Sequence, residues 1–192
     1  MIRIGVVGDI GSGKSFVAKQ FGYPIFNADD EVSKIYKKNK KCYYKFKKAF
    51  PKHITEFPLK KKEIAKSILA DSRNLRIIVK IVHPEVKKNM NNFLKKNRKK
   101  KIIILDIPLL MENKINKKKD ILIFVEAKKK EINKRLKKRP NFNLKILKSL
   151  KKVQLPLEFK KKKSNYLIKN NFNNNLIKKN VKSILKKILL NA

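Results

Sequence analysis

Cysteine is almost missing from this chain of 192 residues: Cys42 stands alone, which excludes an internal disulfide framework. Histidine is nearly as rare, and two of them with one cysteine make no cluster of metal-ligating spacing. Cys42 therefore reads as an ordinary half-buried residue. No apolar run approaches the roughly 18 residues of a membrane span. The N-terminus also lacks the basic-then-apolar layout of a signal peptide. The expectation is a cytoplasmic protein with no membrane partner. Internal repeats are absent, and the polar stretch Asn170 to Asn175 reads as a turn. Acidic residues are scarce, 14 Asp+Glu against 53 Lys+Arg, for a formal net charge of +39.

That imbalance alone suggests a nucleic-acid partner. Arginine, however, is scarce too: 6 of the basic residues are Arg and 47 are Lys, spread over every predicted helix face together with 20 Asn. The pattern is a chain-wide bias, whereas a dedicated nucleic-acid surface concentrates Arg and aromatic residues on one face. Lys60 to Lys62, Lys99 to Lys101 and Lys160 to Lys163 read as solvated helix surface, and no specific nucleic-acid partner is expected. The positive field still raises the local concentration of any polyanionic substrate.

With 42% hydrophobic residues the chain can build one core, so a single domain over 1–192 is expected. Its most specific segment is Gly8-Asp9-Ile10-Gly11-Ser12-Gly13-Lys14-Ser15, which fits the phosphate-binding loop G-x-x-x-x-G-K-[ST]. Glycines let the backbone curl until successive N–H groups face phosphate oxygens, and the following helix adds its positive end. Lys14 is then the residue that reaches the β/γ-phosphates, and Ser15 offers its hydroxyl to Mg²⁺. The flanks agree. Ile2, Ile4, Val6 and Val7 make an apolar strand before the loop, and Phe16, Val17, Gln20 and Phe21 follow a helical spacing after it. The expected nucleotide-binding set is Gly11, Ser12, Gly13, Lys14, Ser15 and Phe16, with ATP and Mg²⁺ as the implied co-substrate and ion.

Further strand signals lie at Pro24 to Asn27, Lys101 to Asp106, Asp120 to Glu126 and Tyr166 to Lys169. Amphipathic stretches separate them, so the fold class is α/β, a five-stranded parallel sheet flanked by helices. The interval 30–100 is helical throughout and reads as an insertion. The segment 128–163 is also helical and reads as a mobile cover, or lid. Arg135 and Arg139 stand at i and i+4 on it, suited to gripping phosphate oxygens together, or else two solvated helix residues. His83 precedes Pro84 in a helix-start pattern, Pro at the first helical position. Leu176, Ile177, Val181, Ile184, Leu185, Ile188 and Leu189 close the chain as an apolar stripe that packs on the sheet.

The order of these segments resembles the dephospho-coenzyme A kinase family over nearly the whole chain. Besides the loop, Phe26-Asn27-Ala28-Asp29 is similar to the family's D-A-D segment and Val82-His83-Pro84 to its H-P segment. Leu105-Asp106-Ile107-Pro108-Leu109-Leu110-Met111-Glu112 resembles D-x-P-L-L-x-E. Lys134 to Arg139 is similar to Q-R-x-x-x-R, and Gln154-Leu155-Pro156-Leu157-Glu158 to Q-x-P-x-E-x-K. The resemblance implies a P-loop kinase fold, with 30–100 as the substrate-binding insertion. It implies ATP-dependent phosphorylation of the ribose 3′-hydroxyl of dephospho-coenzyme A. Asp29 becomes the candidate base, with a helix N-cap as its plain alternative. Arg135 and Arg139 become the clamp. His83 is a substrate-side candidate or a cap, Asp106 a carboxylate for the Mg²⁺ water shell or for substrate, and Asn170 an adenine-facing residue. Asn27 departs from the pattern by replacing the first aspartate of D-A-D, and Asp9 by standing where a small residue is usual. A nucleoside or nucleotide kinase of the same fold, and a nucleic-acid-binding P-loop ATPase, are the alternatives. A monomer is assumed.

Overall fold

The computed structural model describes residues 1–140 and 142–191. Asn141, inside the expected cover, and Ala192, the end of the expected domain, lie outside the described residues. The strands are β1 (Ile2–Gly8), β2 (Ile25–Asn27), β3 (Ile102–Asp106), β4 (Ile121–Glu126) and β5 (Tyr166–Lys169). The helices are α1 (Lys14–Gln20), α2 (Ala28–Lys38), α3 (Lys40–Ala49), α4 (Lys61–Ala70), α5 (Asn74–Lys96), α6 (Lys129–Lys137), α7 (Leu144–Lys152), α8 (Leu157–Lys162) and α9 (Asn174–Leu190).

The strands form one parallel sheet in the order β2-β3-β1-β4-β5. Parallel strands must be covered on both faces, and the sequence supplies apolar residues at successive positions rather than alternate ones. One face carries Ile4, Val6, Ile104, Ile123, Val125 and Ile168, packed under Val17, Ala18 and Phe21 of α1 and Ile177, Val181 and Ile188 of α9. On the other, Gly5 leaves room for Leu110 and Leu122, whose side chains a Cβ at that position would strike at 2.5 and 2.9 Å. β1 is the centre of the sheet, so the loop that leaves its carboxyl end stands where ligands bind in open α/β folds.

The chain divides into two compact units. The sheet unit comprises 1–27, 97–142 and 154–192; the helical unit comprises 28–96 and 143–153. The segment 128–163, expected to be one cover, is therefore divided: α6 and α8 belong with the sheet, and α7 belongs with α2 to α5.

Inside the helical unit two local expectations are corrected. His83 and Pro84 do not begin a helix; both lie in the interior of α5, a helix of 23 residues. An interior proline costs about 3 kcal/mol. Leu75, Ile78, Val82, Val86 and Met90 form a buried stripe on both sides of it, and each such side chain contributes about 1.5–3 kcal/mol on burial, so packing carries the helix through. Cys42 is fully rather than half buried, on α3 beside Phe46. Burial, then the charge of Glu85, pushes its thiol above the ordinary value, which makes it an unreactive packing residue.

Candidate active site

The loop after β1 owes its shape to three glycines in backbone regions that other residues avoid: Gly8 at φ +147°, Gly11 at +86° and Gly13 at +91°. Gly13 is fixed by space as well, because a Cβ there would overlap Asn170 Nδ2. The Lys14 ammonium lies across the loop and donates to the carbonyls of Asp9 at 2.8 Å and Gly8 at 3.3 Å. Asp9, the unusual residue, turns inward: its carboxylate accepts the Ile10 N–H at 2.7 Å, so its charge is directed into the loop itself. Ser12 is fully buried, and its hydroxyl has no hydrogen-bond partner among the described residues. Ser15 is exposed on the first turn of α1, while Phe16 packs toward the core under the sheet.

Asn170, at the end of β5, braces this loop. Its Nδ2 donates to the Ser12 carbonyl at 2.7 Å, its Oδ1 accepts the Phe172 N–H at 2.8 Å, and its own N–H donates to the Glu126 carbonyl at 2.7 Å. The amide expected to face adenine is buried, with its nitrogen and its oxygen both bonded to the backbone here. Asn170→Ala leaves the buried Ser12 carbonyl unsatisfied and is expected to cost about 1–3 kcal/mol, read as a lower denaturation midpoint in urea.

α6 sits directly on the loop. A Cβ at Gly11 would meet Leu136 Cγ at 3.0 Å and Ile132 Cγ2 at 3.1 Å, and both side chains are buried. This seating brings in Arg135, whose guanidinium carbon lies 4.3 Å from the centroid of the Phe172 ring. Arg139 does not share its helix face: α6 ends at Lys137, and Arg139 follows in a turn where its carbonyl accepts the Phe142 N–H at 3.2 Å. The i, i+4 relation fails because the helix stops first, the Lys138 N–H bonding the carbonyl of Leu136 two residues back.

At the carboxyl ends of β2 and β3, Asn27 and Asp106 are register partners, and Asn27 Nδ2 donates to Asp106 Oδ2 at 2.7 Å. The departure from D-A-D therefore removes a like charge beside Asp106 and supplies a donor to it. β2 runs into α2 without a loop, and Asp29 is the second residue of that helix, not its cap. Asp29, Asp30 and Glu31 all stand in its first turn, where the helix dipole favours carboxylates. Burial first, then Cys42 and Asp29, hold the Tyr36 hydroxyl above the usual phenol range. In the same unit, His83 Nε2 is buried without a hydrogen-bond partner among the described residues.

Residues 2–176 match the family described as dephospho-CoA kinase. This chain belongs to that family. A dephospho-CoA kinase of Wolbachia pipientis wMel is 32% identical over 194 residues, covering 98% of this chain and 99% of the relative. Among solved structures, the Thermus thermophilus protein TT1252 superposes with a TM-score of 0.76 at 25% identity, with 97% of each chain covered. A dephospho-CoA kinase from Campylobacter jejuni shares the fold with a TM-score of 0.61 at 20% identity, covering 97% of this chain and 96% of that one. The activity is ATP-dependent phosphorylation of dephospho-coenzyme A, a step of coenzyme A biosynthesis.

Within a dephospho-CoA kinase chain, the family-like segments after β3 and before α8 acquire a physical role. Glu112 and Lys160 form a buried ion pair at 3.1 Å. Glu112 Oε1 also accepts the Leu155 N–H at 3.1 Å, and Lys160 donates to Gln154 Oε1 at 3.1 Å. Lys160 is 1% exposed, which corrects its assignment to a solvated lysine tract. The chain re-enters the sheet unit at Gln154, so this pair fixes the re-entry point. Sequence reasoning missed it because Lys160 stands among 4 consecutive lysines. The signal that could have found it was the pairing of a P-L-L-x-E glutamate with the final lysine of Q-x-P-x-E-x-K.

Proposed function

We propose that the chain transfers the γ-phosphoryl group of ATP to the ribose 3′-hydroxyl of dephospho-coenzyme A, with Asp29 accepting the hydroxyl proton. Phosphoryl transfer passes through a loose transition state, so the protein's task is positioning and charge neutralisation. The observation that carries the reading is the loop between β1 and α1, braced by Asn170 and overlain by α6. Its N–H groups and the buried Ser12 hydroxyl are donors for phosphate oxygens, and Lys14 exchanges its loop carbonyls for the β/γ-phosphates. Arg135 and Arg139 serve as the clamp on the transferring group, Arg135 from α6 and Arg139 from the turn behind it. On the acceptor side, His83 Nε2 needs a hydrogen-bond partner that substrate can supply.

The donors near the phosphates suit Mg²⁺. Ser15 offers an exposed hydroxyl and Asp106 a carboxylate, both hard oxygens. The described residues contain no group of three or more His, Cys, Asp or Glu that could cage an ion. That suits a cation that keeps most of its waters and leans on the nucleotide. Mg²⁺ bound there would neutralise charge on the phosphates. Among the described residues no helix is long and apolar enough to cross a membrane, and the cytoplasm, which supplies ATP, is the compartment this reading implies. Monomeric action on a small molecule completes it.

The test incubates the protein with ATP, Mg²⁺ and one of dephospho-coenzyme A, adenosine or a nucleoside monophosphate, and follows ADP release. Turnover is expected with dephospho-coenzyme A alone. Turnover confined to the nucleosides or monophosphates would assign the site to a nucleotide kinase instead.

A further inference from the structure

Phe172 occupies a backbone conformation that a bulky side chain rarely takes. Its φ is +63°, one of two positive values at non-glycine residues among those described, and for an aromatic residue this region is a strained exception. Such strain persists only where the surroundings over-determine it. Here four contacts do so. The Phe172 N–H is held by Asn170 Oδ1 at 2.8 Å. One residue on, the Asn173 side chain caps α9 by accepting the Asn175 and Leu176 N–H groups at 3.0 and 3.2 Å. The ring edge lies over the phosphate loop, where a Cβ at Gly13 would stand 3.4 Å from Phe172 Cε1. The ring face meets the Arg135 guanidinium, with 4.3 Å between Cζ and the ring centroid.

We propose that Phe172 is the positioning residue for Arg135, an aromatic platform that holds the guanidinium beside the phosphate loop in the orientation used for phosphoryl transfer. A cation–π contact at 4.3 Å holds the guanidinium carbon over the ring, and the N–H donors that do not meet the ring are left to bind phosphate oxygens. The backbone of Arg135 is fixed separately, because its neighbours Ile132 and Leu136 are buried against Gly11. Helix seating alone leaves a long arginine side chain many rotamers; the ring selects among them before nucleotide arrives. Strain at Phe172 is the cost of placing an aromatic ring, rather than bare backbone, at that turn.

The proposal rests on the clamp role given to Arg135, and the experiment separates the two. The variants are Phe172→Gly, Phe172→Leu, Phe172→Tyr, Arg135→Ala and the double variant Arg135→Ala/Phe172→Gly, each assayed for kcat, KM for ATP and Tm. Phe172→Gly removes ring and strain together, so Tm is expected to stay within about 3 °C while kcat falls about 10-fold, within the range of a desolvated cation–π contact. Phe172→Leu keeps an apolar side chain without a π face and is expected to lose the same factor. Phe172→Tyr is expected to keep kcat within about twofold. Arg135→Ala is expected to lose about 10³ in kcat, with no further loss in the double variant. Full activity in Arg135→Ala would remove the clamp role itself. A slow Arg135→Ala with unaffected Phe172→Gly and Phe172→Leu, or a Phe172→Tyr as slow as Phe172→Gly, would overturn the positioning role while leaving the clamp in place.

Discussion

Asp29→Asn is expected to lower kcat by about 10² or more, while the Kd for a non-hydrolysable ATP analogue, measured by titration calorimetry, barely moves. The asymmetry follows from the assigned chemistry. In the proposed reading ATP is held by the β1–α1 loop, by Lys14 and by the arginines, and Asp29 serves the acceptor. The acceptor hydroxyl, by contrast, must lose a proton as it attacks, and an amide cannot take it. β2 delivers Asp29 two residues beyond Asn27, at the carboxyl end of a strand. In sheets of this kind that is the side where ligands bind. A first-turn carboxylate has a second use, complementing the helix dipole, but Asp30 and Glu31 share that task, and the exposed-helix value of one such charge is only about 0.3–1 kcal/mol. The amide variant should therefore fold normally, with a Tm near that of the parent. An unchanged kcat would leave Asp29 as one of three dipole-compensating acids and the base unassigned.

Glu112→Leu is expected to be the most damaging of the stability variants, costing about 3–5 kcal/mol and lowering Tm by about 10 °C. The pair is buried on both sides, at 1% side-chain exposure for Lys160 and 7% for Glu112. Removing the carboxylate leaves the ammonium, among the described residues, with the Gln154 amide oxygen and also strips the Leu155 N–H of its acceptor. The cost is that of the abandoned charge rather than of the lost attraction, so the second half of the expectation is diagnostic. Lys160→Met added to Glu112→Leu should recover most of the loss, because a matched apolar pair of similar volume is often as stable as a buried ion pair. Urea denaturation of the two single variants and the double variant reads the coupling directly. A Tm for Glu112→Leu within about 2 °C of the parent would show that Lys160 finds water or another partner, and the pair would not be the anchor of the re-entry point.

Elements whose formation depends on neighbours in sequence were legible from the chain. The apolar runs became β1 to β5 nearly residue for residue: the inner strands β1, β3 and β4 are buried on both faces and so are largely apolar, while the edge strand β5 buries only Ile168. The phosphate loop was legible because glycine at fixed offsets is required by backbone angles, whatever surrounds it. The same local logic failed where a distant contact outweighed it. Pro84 reads as a helix start, yet the buried stripe from Leu75 to Met90 carries α5 through it. Arg135 and Arg139 read as one face, yet α6 ends between them. Lys160 reads as one solvated lysine among several, yet it is buried against the Glu112 carboxylate, 48 residues away.

The candidate site divides in the same way. Its loop, its nucleotide and its membership of the dephospho-CoA kinase family were written in short ordered segments. The effect of Asn27 was not, since it depends on a carboxylate 79 residues away across a strand pair. Nor was the brace from Asn170 to Ser12, which spans 158 residues. Phe172 gave no signal at all, because neither its positive φ nor the guanidinium above it has a trace in composition or periodicity. Sequence alone determined the strands and the phosphate loop, which rest on backbone sterics and on residue types at fixed spacing, and it implied the reaction through its resemblance to a family. Tertiary structure alone decided which lysine is buried, which asparagine donates to a carboxylate and which arginine is held in place. Each of those is an electrostatic or stacking contact whose partner the chain supplies from far away, and its strength depends on burial that no local stretch can set.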